Sequence, residues 1–119
     1  MGRTKAFALQ ILKFVERLPK TIGGRAIANQ LIRSATSIGA NYRSACRARS
    51  RAEFAAKLGT VAEEADETVY WLELIREGEL LGDAQVEPLL AKANELTAIF
   101  TSARRTSTQN QTSNVKHRT

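Results

Sequence analysis

The chain has 119 residues, is 43% hydrophobic and carries a formal net charge of +6 at pH 7. This length predicts one domain with a thin core, and small domains of this kind often associate. No apolar run approaches the about 18 residues of a membrane helix and no signal peptide is recognisable, so we expect a cytoplasmic protein without a membrane partner. The lone cysteine, Cys46, excludes an internal disulfide, and the lone histidine, His117, leaves almost nothing for a metal site or a histidine base.

The charges are segregated along the chain. Residues 1–57 carry a net charge of +10, residues 58–103 carry −8, and residues 104–119 carry +4. Two interpretations are open: the acidic half faces the basic half, within or between subunits, or the basic half faces nucleic acid.

Two amphipathic helices are predicted in the first half of the chain. The first spans about residues 4–18 and ends at Pro19, because the residue before a proline disfavours helical geometry. The second spans residues 25–51, and we expect it to fray or bend near residues 46–49. Apolar residues recur in both at steps of three and four, as in helices that pack on other helices: Phe7, Ile11, Phe14 and Leu18 in the first, and Ile27, Leu31, Ala35, Ile38, Tyr42 and Ala45 in the second.

Helix two carries three other faces beside its apolar one. Opposite the apolar face is a row of arginines that would be nearly 40 Å long at about 1.5 Å per residue: Arg25, Arg33, Arg43, Arg47 and Arg51. A small-residue face contains Gly39, which is either a tolerated defect or a point where another helix approaches closely. A polar strip is either a solvated flank or a set of hydrogen-bonding groups that faces another helix or a phosphate: Ser34, Ser37, Asn41 and Ser44.

Helix three has a specific start signal, because Ser50 followed by Glu53 is a capping box that starts a helix at residue 51. Gly78 is expected as the C′ residue that ends it. Its apolar face comprises Phe54, Leu58, Val61, Ala65, Val69, Leu72 and Ile75.

A second apolar patch lies about opposite that face of helix three and consists of Tyr70, Trp71 and Leu74. We expect it to be a subunit interface. Core packing and base stacking are the alternatives, and stacking is the weakest because acidic residues surround the patch.

Helix four runs from Asp83 or Val86 to Ala103. Pro88, which fits only the first turn of a helix, favours the later start. Its apolar face comprises Val86, Leu89, Ala93, Leu96 and Phe100.

Four helical segments with short connections predict an all-α fold, an antiparallel up-down-up-down four-helix bundle over residues 1–103. Residues 104–119 are polar and basic without a period, so we expect a disordered C-terminal tail. No catalytic pattern emerges: Glu63, Glu64 and Glu67 lack the histidines of a di-iron site, and Gly23 and Gly24 lack the pattern of a phosphate-binding loop. We therefore expect no enzyme, no cofactor and no metal.

Residues 30–74 closely resemble a bacterial family of four-helix bundle proteins, first described as encoded within intervening sequences of the 23S rRNA gene. The resemblance extends over roughly residues 4–103. After the asparagine of helix two, many members have the sequence Ile-Ala-Glu-Gly. This chain has Tyr-Arg-Ser-Ala at residues 42–45, so the role of that glutamate in other members cannot be assigned to this protein. The matching positions are Arg33, Ser37, Ile38 and Asn41 on helix two, and Glu53, Phe54 and the Glu- and aromatic-rich residues 63–74 on helix three.

The resemblance implies a small cytoplasmic bundle that associates into a ring, typically a pentamer. The accessory protein of diversity-generating retroelements, related in fold, forms a basic pentameric barrel that binds nucleic acid and its reverse transcriptase.

The predicted function is that of a non-enzymatic homo-oligomeric bundle that binds RNA or DNA through a basic surface. The binding would be largely independent of sequence and strongly dependent on salt. The alternative is a protein–protein scaffold or assembly subunit, in which the arginines pair with the acidic face of helix three in a neighbouring subunit. The residues expected to contact phosphates are Arg33, Arg43, Arg47, Arg49, Arg51, Arg104 and Arg105.

Overall fold

The computed structural model describes residues 2–118, with side chains described for residues 2–109. Within that range the chain is helical: α1 (Gly2–Val15), α2 (Ile22–Cys46), α3 (Arg51–Glu77) and α4 (Asp83–Arg118). Each helix packs against the next one along the chain, and α1 meets α4 mainly through side chains: Arg3 pairs with Glu95, and Lys92 donates a hydrogen bond to Gln10 at 3.0 Å. The predicted all-α four-helix fold is confirmed. No helix between residues 2 and 118 combines the length and apolarity needed to cross a membrane.

Contacts between neighbouring helices show that they run antiparallel. Lys57, near the start of α3, donates a hydrogen bond to Ser44, near the end of α2, at 2.7 Å. At the other end of α3, Arg76 donates to Glu87, near the start of α4, at 2.8 Å. The chain therefore runs up and down along a body of 58 × 23 × 22 Å.

The predicted apolar faces form the core. Every residue that the periodicity placed on a core face is buried except three, Ile27, Tyr42 and Phe54, which are half-buried and pack against the others. Ile11, Leu31, Ile38, Val61, Leu72 and Ile75 have no exposed surface. Because burial of apolar surface is the main favourable term in folding, the pattern of three- and four-residue steps identified most of the core; Val15 and Leu90 are also buried but were not on the predicted faces.

The polar strip of α2 faces α3. Ser34 is fully buried and accepts a hydrogen bond from the Thr68 hydroxyl at 2.9 Å. Thr68 Oγ1 also lies 2.8 Å from the Glu64 carbonyl, and Ser34 donates to the Leu31 carbonyl at 3.3 Å. Of the two interpretations of this strip, the hydrogen-bonding one is therefore correct for its buried part.

Gly39 marks a close approach of α1 to α2. A Cβ at this position would lie 3.4 Å from the Thr4 hydroxyl oxygen, an ordinary van der Waals contact. The two helices pack as closely as a methyl group allows, which favours close approach over a tolerated defect.

The predicted row of arginines is shortened, because α2 ends at Cys46, where a fray or bend was expected; Arg25, Arg33 and Arg43 lie on α2, and Arg47 and Arg51 do not. Ser50 caps α3 by accepting a hydrogen bond from the Glu53 N–H at 3.1 Å, and Glu53 Oε2 accepts one from the Arg49 N–H at 3.1 Å. This cap breaks the helix, so Arg47 and Arg49 lie in a turn and Arg51 opens α3.

The end of α3 differs from the prediction by one residue. Gly78 keeps right-handed geometry with φ −81° as the C-cap, and Glu79 adopts the left-handed conformation with φ 56°. Leu80 N–H bonds to the Ile75 carbonyl at 2.9 Å and Glu79 N–H to that of Arg76 at 3.1 Å. These two bonds form a Schellman motif with a glutamate in the position that glycine usually takes.

Helices α1 and α4 also differ from the predicted bounds. Helix α1 begins at Gly2 and ends at Val15, before Leu18, and α4 begins at Asp83 rather than at Val86. Pro88 is therefore the sixth residue of α4; its side chain is exposed, and the missing N–H removes one bond close to the helix start.

Helix α4 also continues past Ala103, where the sequence pattern predicts its end. A Cβ at Gly59 of α3 would lie 3.0 Å from Arg104 Nε, so Arg104 packs over that glycine. Residues 104–109 are helical rather than part of a tail. The remaining tail residues, among them His117, lie outside the part of the chain whose side chains are described.

Candidate nucleic-acid interface

Antiparallel packing gathers six of the seven predicted phosphate-binding arginines at one end of the bundle. The end of α2 and the start of α3 meet there, and Arg104 of α4 lies against Gly59 of α3. All six side chains are exposed. We call this surface the basic end; it comprises Arg43, Arg47, Arg49, Arg51, Arg104 and Arg105.

Two clefts lie within the basic end. The first, of about 490 Å³, is lined by Arg43, Arg47 and Arg49 together with Ala40, Ser44 and Glu53. The second, of about 340 Å³, is lined by Arg104 and Arg105 with Thr101, Thr108 and Gln109. Both are lined by guanidinium groups and small or polar residues, which suits an anion with oxygen acceptors.

None of the six arginines forms an ion pair in the part of the chain whose side chains are described. The pairs found between residues 2 and 109 are Arg3–Glu95, Arg33–Glu64, Arg33–Glu67 and Arg76–Glu87. The only carboxylate that lines the first cleft is that of Glu53, which is hydrogen-bonded to the Arg49 backbone. The positive charge of the basic end is thus largely uncompensated.

Arg33, the seventh predicted contact, is separated from the basic end. It lies ten residues before Arg43, which is about 15 Å along α2. Its guanidinium contacts two carboxylates of α3, Glu64 at 3.2 Å and Glu67. Glu67 also accepts a hydrogen bond from Trp71 Nε1 at 3.3 Å. The acidic face of α3 thus neutralises this arginine within one subunit.

The Arg33–Glu67 contact changes the titration of both groups. The hydrogen bond from Arg33 holds the pKa of Glu67 below its ordinary value, although desolvation by burial opposes it. The hydrogen bond to Glu67 likewise raises the pKa of Arg33. Arg33 and Glu67 are 46% and 33% exposed, so screening by water limits the pair to at most about 1 kcal/mol.

Glu67→Gln should reduce stability at neutral pH and lose that effect in acid. The folded-state pKa of Glu67 is depressed, so its contribution is present above the unfolded value of about 4.3 and disappears as the pH falls through the lower folded value. Urea unfolding at pH 7 and at pH 3 tests this. Glu63→Gln, an exposed carboxylate of α3 outside any ion pair among the described residues, is the control. If Glu67→Gln lowered the free energy of unfolding equally at both pH values, this prediction would be contradicted.

The predicted interface patch lies on α3, near the end opposite to the basic end. Tyr70 is 53% exposed, and Trp71 and Leu74 are half-buried. The Tyr70 and Trp71 rings contact edge to face, with centroids 5.1 Å apart. Trp71 also packs on the core and is held by Glu67.

Sequence reasoning missed several residues beside the basic end, Lys5 among them. A groove of about 520 Å³ lies where α1 meets α2, and it is lined by Gly2, Thr4, Lys5, Ala8, Thr36, Gly39, Ala40 and Arg43. Lys5 and Arg43 are far apart in sequence, and no local signal brings them together. Among the residues described, no three His, Cys, Asp or Glu side chains could hold a metal ion.

Comparisons with known proteins identify the family. The family model described as 23S rRNA-intervening sequence protein matches residues 2–102. The crystal structure of a protein with unknown function from the S23 ribosomal protein family of Bacteroides thetaiotaomicron is 35% identical, with a TM-score of 0.80 over 87% of this chain and 95% of that one. A search of curated proteins gave no match. Because the family model matches most of its length, this chain belongs to the 23S rRNA-intervening sequence protein family.

Proposed function

We propose that this protein is a non-enzymatic, self-associating helical bundle that binds RNA or DNA through its basic end. One observation carries the proposal: six exposed arginines from α2, the turn that follows it, α3 and α4 converge on one end without a carboxylate partner among the described residues. Maintaining such a concentration of like charge costs stability through self-repulsion. A polyanion would relieve that repulsion.

The chemistry of the basic end suits phosphates rather than bases. Guanidinium groups bind phosphate oxygens with two parallel hydrogen bonds, and such contacts carry no sequence information. No aromatic residue lines either cleft, so base stacking does not contribute there. Arg33 is left out of the contact set because Glu64 and Glu67 hold it; its part is to fix α2 against α3.

The test is a fluorescence-anisotropy titration of a labelled single-stranded RNA and of a DNA duplex between 50 and 200 mM salt. Six phosphate contacts predict a slope of log affinity against log salt of about −4 for the single strand and about −5 for the duplex. The affinity for the strand should then fall about 300-fold over this range. A peptide nucleic acid of the same sequence, which has no phosphates, is the control. Absence of binding at 50 mM salt would contradict the proposal.

Two observations support the proposal of self-association. Tyr70 is exposed with the half-buried Trp71 and Leu74 beside it, and the core of the single chain is small. A pentamer is the form that the family resemblance implies. Sedimentation equilibrium would then give five times the protomer mass of 13.1 kDa.

The scaffold alternative has one observation in its favour, a group of carboxylates around the α3–α4 connection, at the end where Arg17 and Arg25 also lie. Among the described residues, Glu73, Glu77, Glu79 and Asp83 form no ion pair within 4 Å. Arginines of one copy could therefore pair with these carboxylates in the next copy. Under this alternative the sedimentation mass falls as salt rises and nucleic acid does not bind at 50 mM salt.

A further inference from the structure

The groove where α1 meets α2 borders the first cleft of the basic end. Ala40 and Arg43 line both, so the two spaces share a wall. The two spaces lie end to end along α2, from Thr36 to Arg49, and we call them together the path. The helical part of this path, residues 36–46, is about 15 Å long at about 1.5 Å per residue.

Small residues and cations line this path. Gly2 and Ala8 of α1 and Gly39 and Ala40 of α2 contribute little side-chain volume in the groove. The charged residues that line the path are four cations and one carboxylate, Lys5, Arg43, Arg47, Arg49 and Glu53. The small residues would let a ligand approach the helix backbone, and the cations would flank the ligand along its length.

We infer that this path receives the backbone of single-stranded nucleic acid, RNA or DNA, rather than a duplex. The inference rests on the proposed function and specifies its ligand. Neighbouring helix axes lie about 8–10 Å apart, so a groove between two of them is narrower than a double helix. A duplex would touch only the rims, whereas a single strand can lie along the surface of the groove and bring successive phosphates to Lys5, Arg43 and Arg47.

The bases of the bound strand point away from the protein. No aromatic side chain lines the path, and the nearby Tyr42 faces the core, where its ring lies 5.2 Å from that of Phe100. Without stacking or base-edge contacts, the strand is held through its phosphates and base identity has little influence. At about 3.4 Å per nucleotide, the helical part of the path accommodates roughly four to five stacked nucleotides.

Ala40→Trp tests the path without changing any charge. Ala40 is exposed, so the bulky side chain should not disturb the core, but it obstructs the wall that the groove and the cleft share. The affinity for a labelled 12-nucleotide oligo(U) should fall at least about tenfold, while that for a 12-base-pair RNA duplex changes less than about twofold. Ala91→Trp, an exposed alanine of α4, is the matched control and should bind both probes like the parent protein.

Lys5→Gln provides a second readout that does not depend on a bulky side chain. Removing one phosphate contact should reduce the salt slope for oligo(U) by about 0.7. Lys13→Gln, an exposed lysine of α1 that does not line the groove, should leave the slope unchanged. Circular dichroism and thermal melting verify that each variant is folded.

The outcomes separate this inference from the proposed function. If Ala40→Trp and Lys5→Gln bind oligo(U) like the parent protein while charge reversal at Arg47 and Arg49 abolishes binding, the path is wrong and the basic end stands. If Ala40→Trp weakens the duplex as much as the strand, the assignment to single strands is overturned. If the parent protein binds neither probe at 50 mM salt, both fail together.

Discussion

Reversing the charge of Arg47 and Arg49 should lower the affinity for single-stranded RNA roughly 100-fold at 0.1 M salt. Both side chains are exposed, and both line the first cleft of the basic end. Each lost phosphate contact reduces the slope of log affinity against log salt by about 0.7. At about 0.1 M salt this corresponds to a loss of about 1 kcal/mol of binding free energy. The two new carboxylates add repulsion of the phosphates.

Neither arginine is part of the fold's own ion pairs, so the double variant should remain folded. The four pairs found among the described side chains involve Arg3, Arg33 and Arg76, not the two arginines of the turn. Anisotropy titrations at several salt concentrations give the second readout: the slope of log affinity against log salt should be shallower by about 1.4 than that of the parent protein.

The matched control is Arg17→Glu with Arg25→Glu. It changes the net charge by the same amount but at the opposite end of the bundle, where both arginines are also exposed. If the control weakened binding as much as the variant of the basic end, only the overall charge of the protein would matter. That result would contradict a localised site.

Gly24→Ala should destabilise the protein by about 3 kcal/mol, the upper end of the usual range for an added group that forces the backbone to shift. Gly24 is buried in the first turn of α2, and its N–H bonds to the Thr21 hydroxyl at 3.1 Å. A Cβ there would lie 2.0 Å from the carbonyl oxygen of Pro19. A backbone oxygen held by a proline ring cannot move aside as a flexible side chain can, so the connection or the helix must shift.

Gly23→Ala is the matched control, one residue earlier in the same helix. A Cβ at Gly23 meets no atom within 4 Å, and alanine in a helix is more favourable than glycine by about 0.5–1 kcal/mol. Thermal unfolding should show a loss of about 10 °C or more for Gly24→Ala and a small gain for Gly23→Ala. Equal melting temperatures for the two variants would mean that the connection after Pro19 yields easily.

The sequence by itself determined the helices and their core faces, because those depend on local patterns. Apolar steps of three and four residues identified Ile11, Leu31 and Leu72 as core, since each helix must bury one face. Ser50 and Glu53 placed the start of α3 at the correct residue, because a capping box acts within one turn. Pro19 and Pro88 were less exact signals, because a proline limits where a helix can run without fixing its terminal residue, and the ends of α1, the start of α2 and both ends of α4 were misplaced.

Only the tertiary structure decided which cations are free and which grooves they line. Arg33 and Arg43 look alike in the sequence, but Arg33 lies opposite Glu64 and Glu67, more than 30 residues away, while Arg43 lies beside Lys5. These neighbours depend on the register between helices, which is set by core packing and by the buried Ser34–Thr68 hydrogen bond. A register is a long-range property of the folded chain, so local periodicity could predict an arginine-rich face but not the path along it.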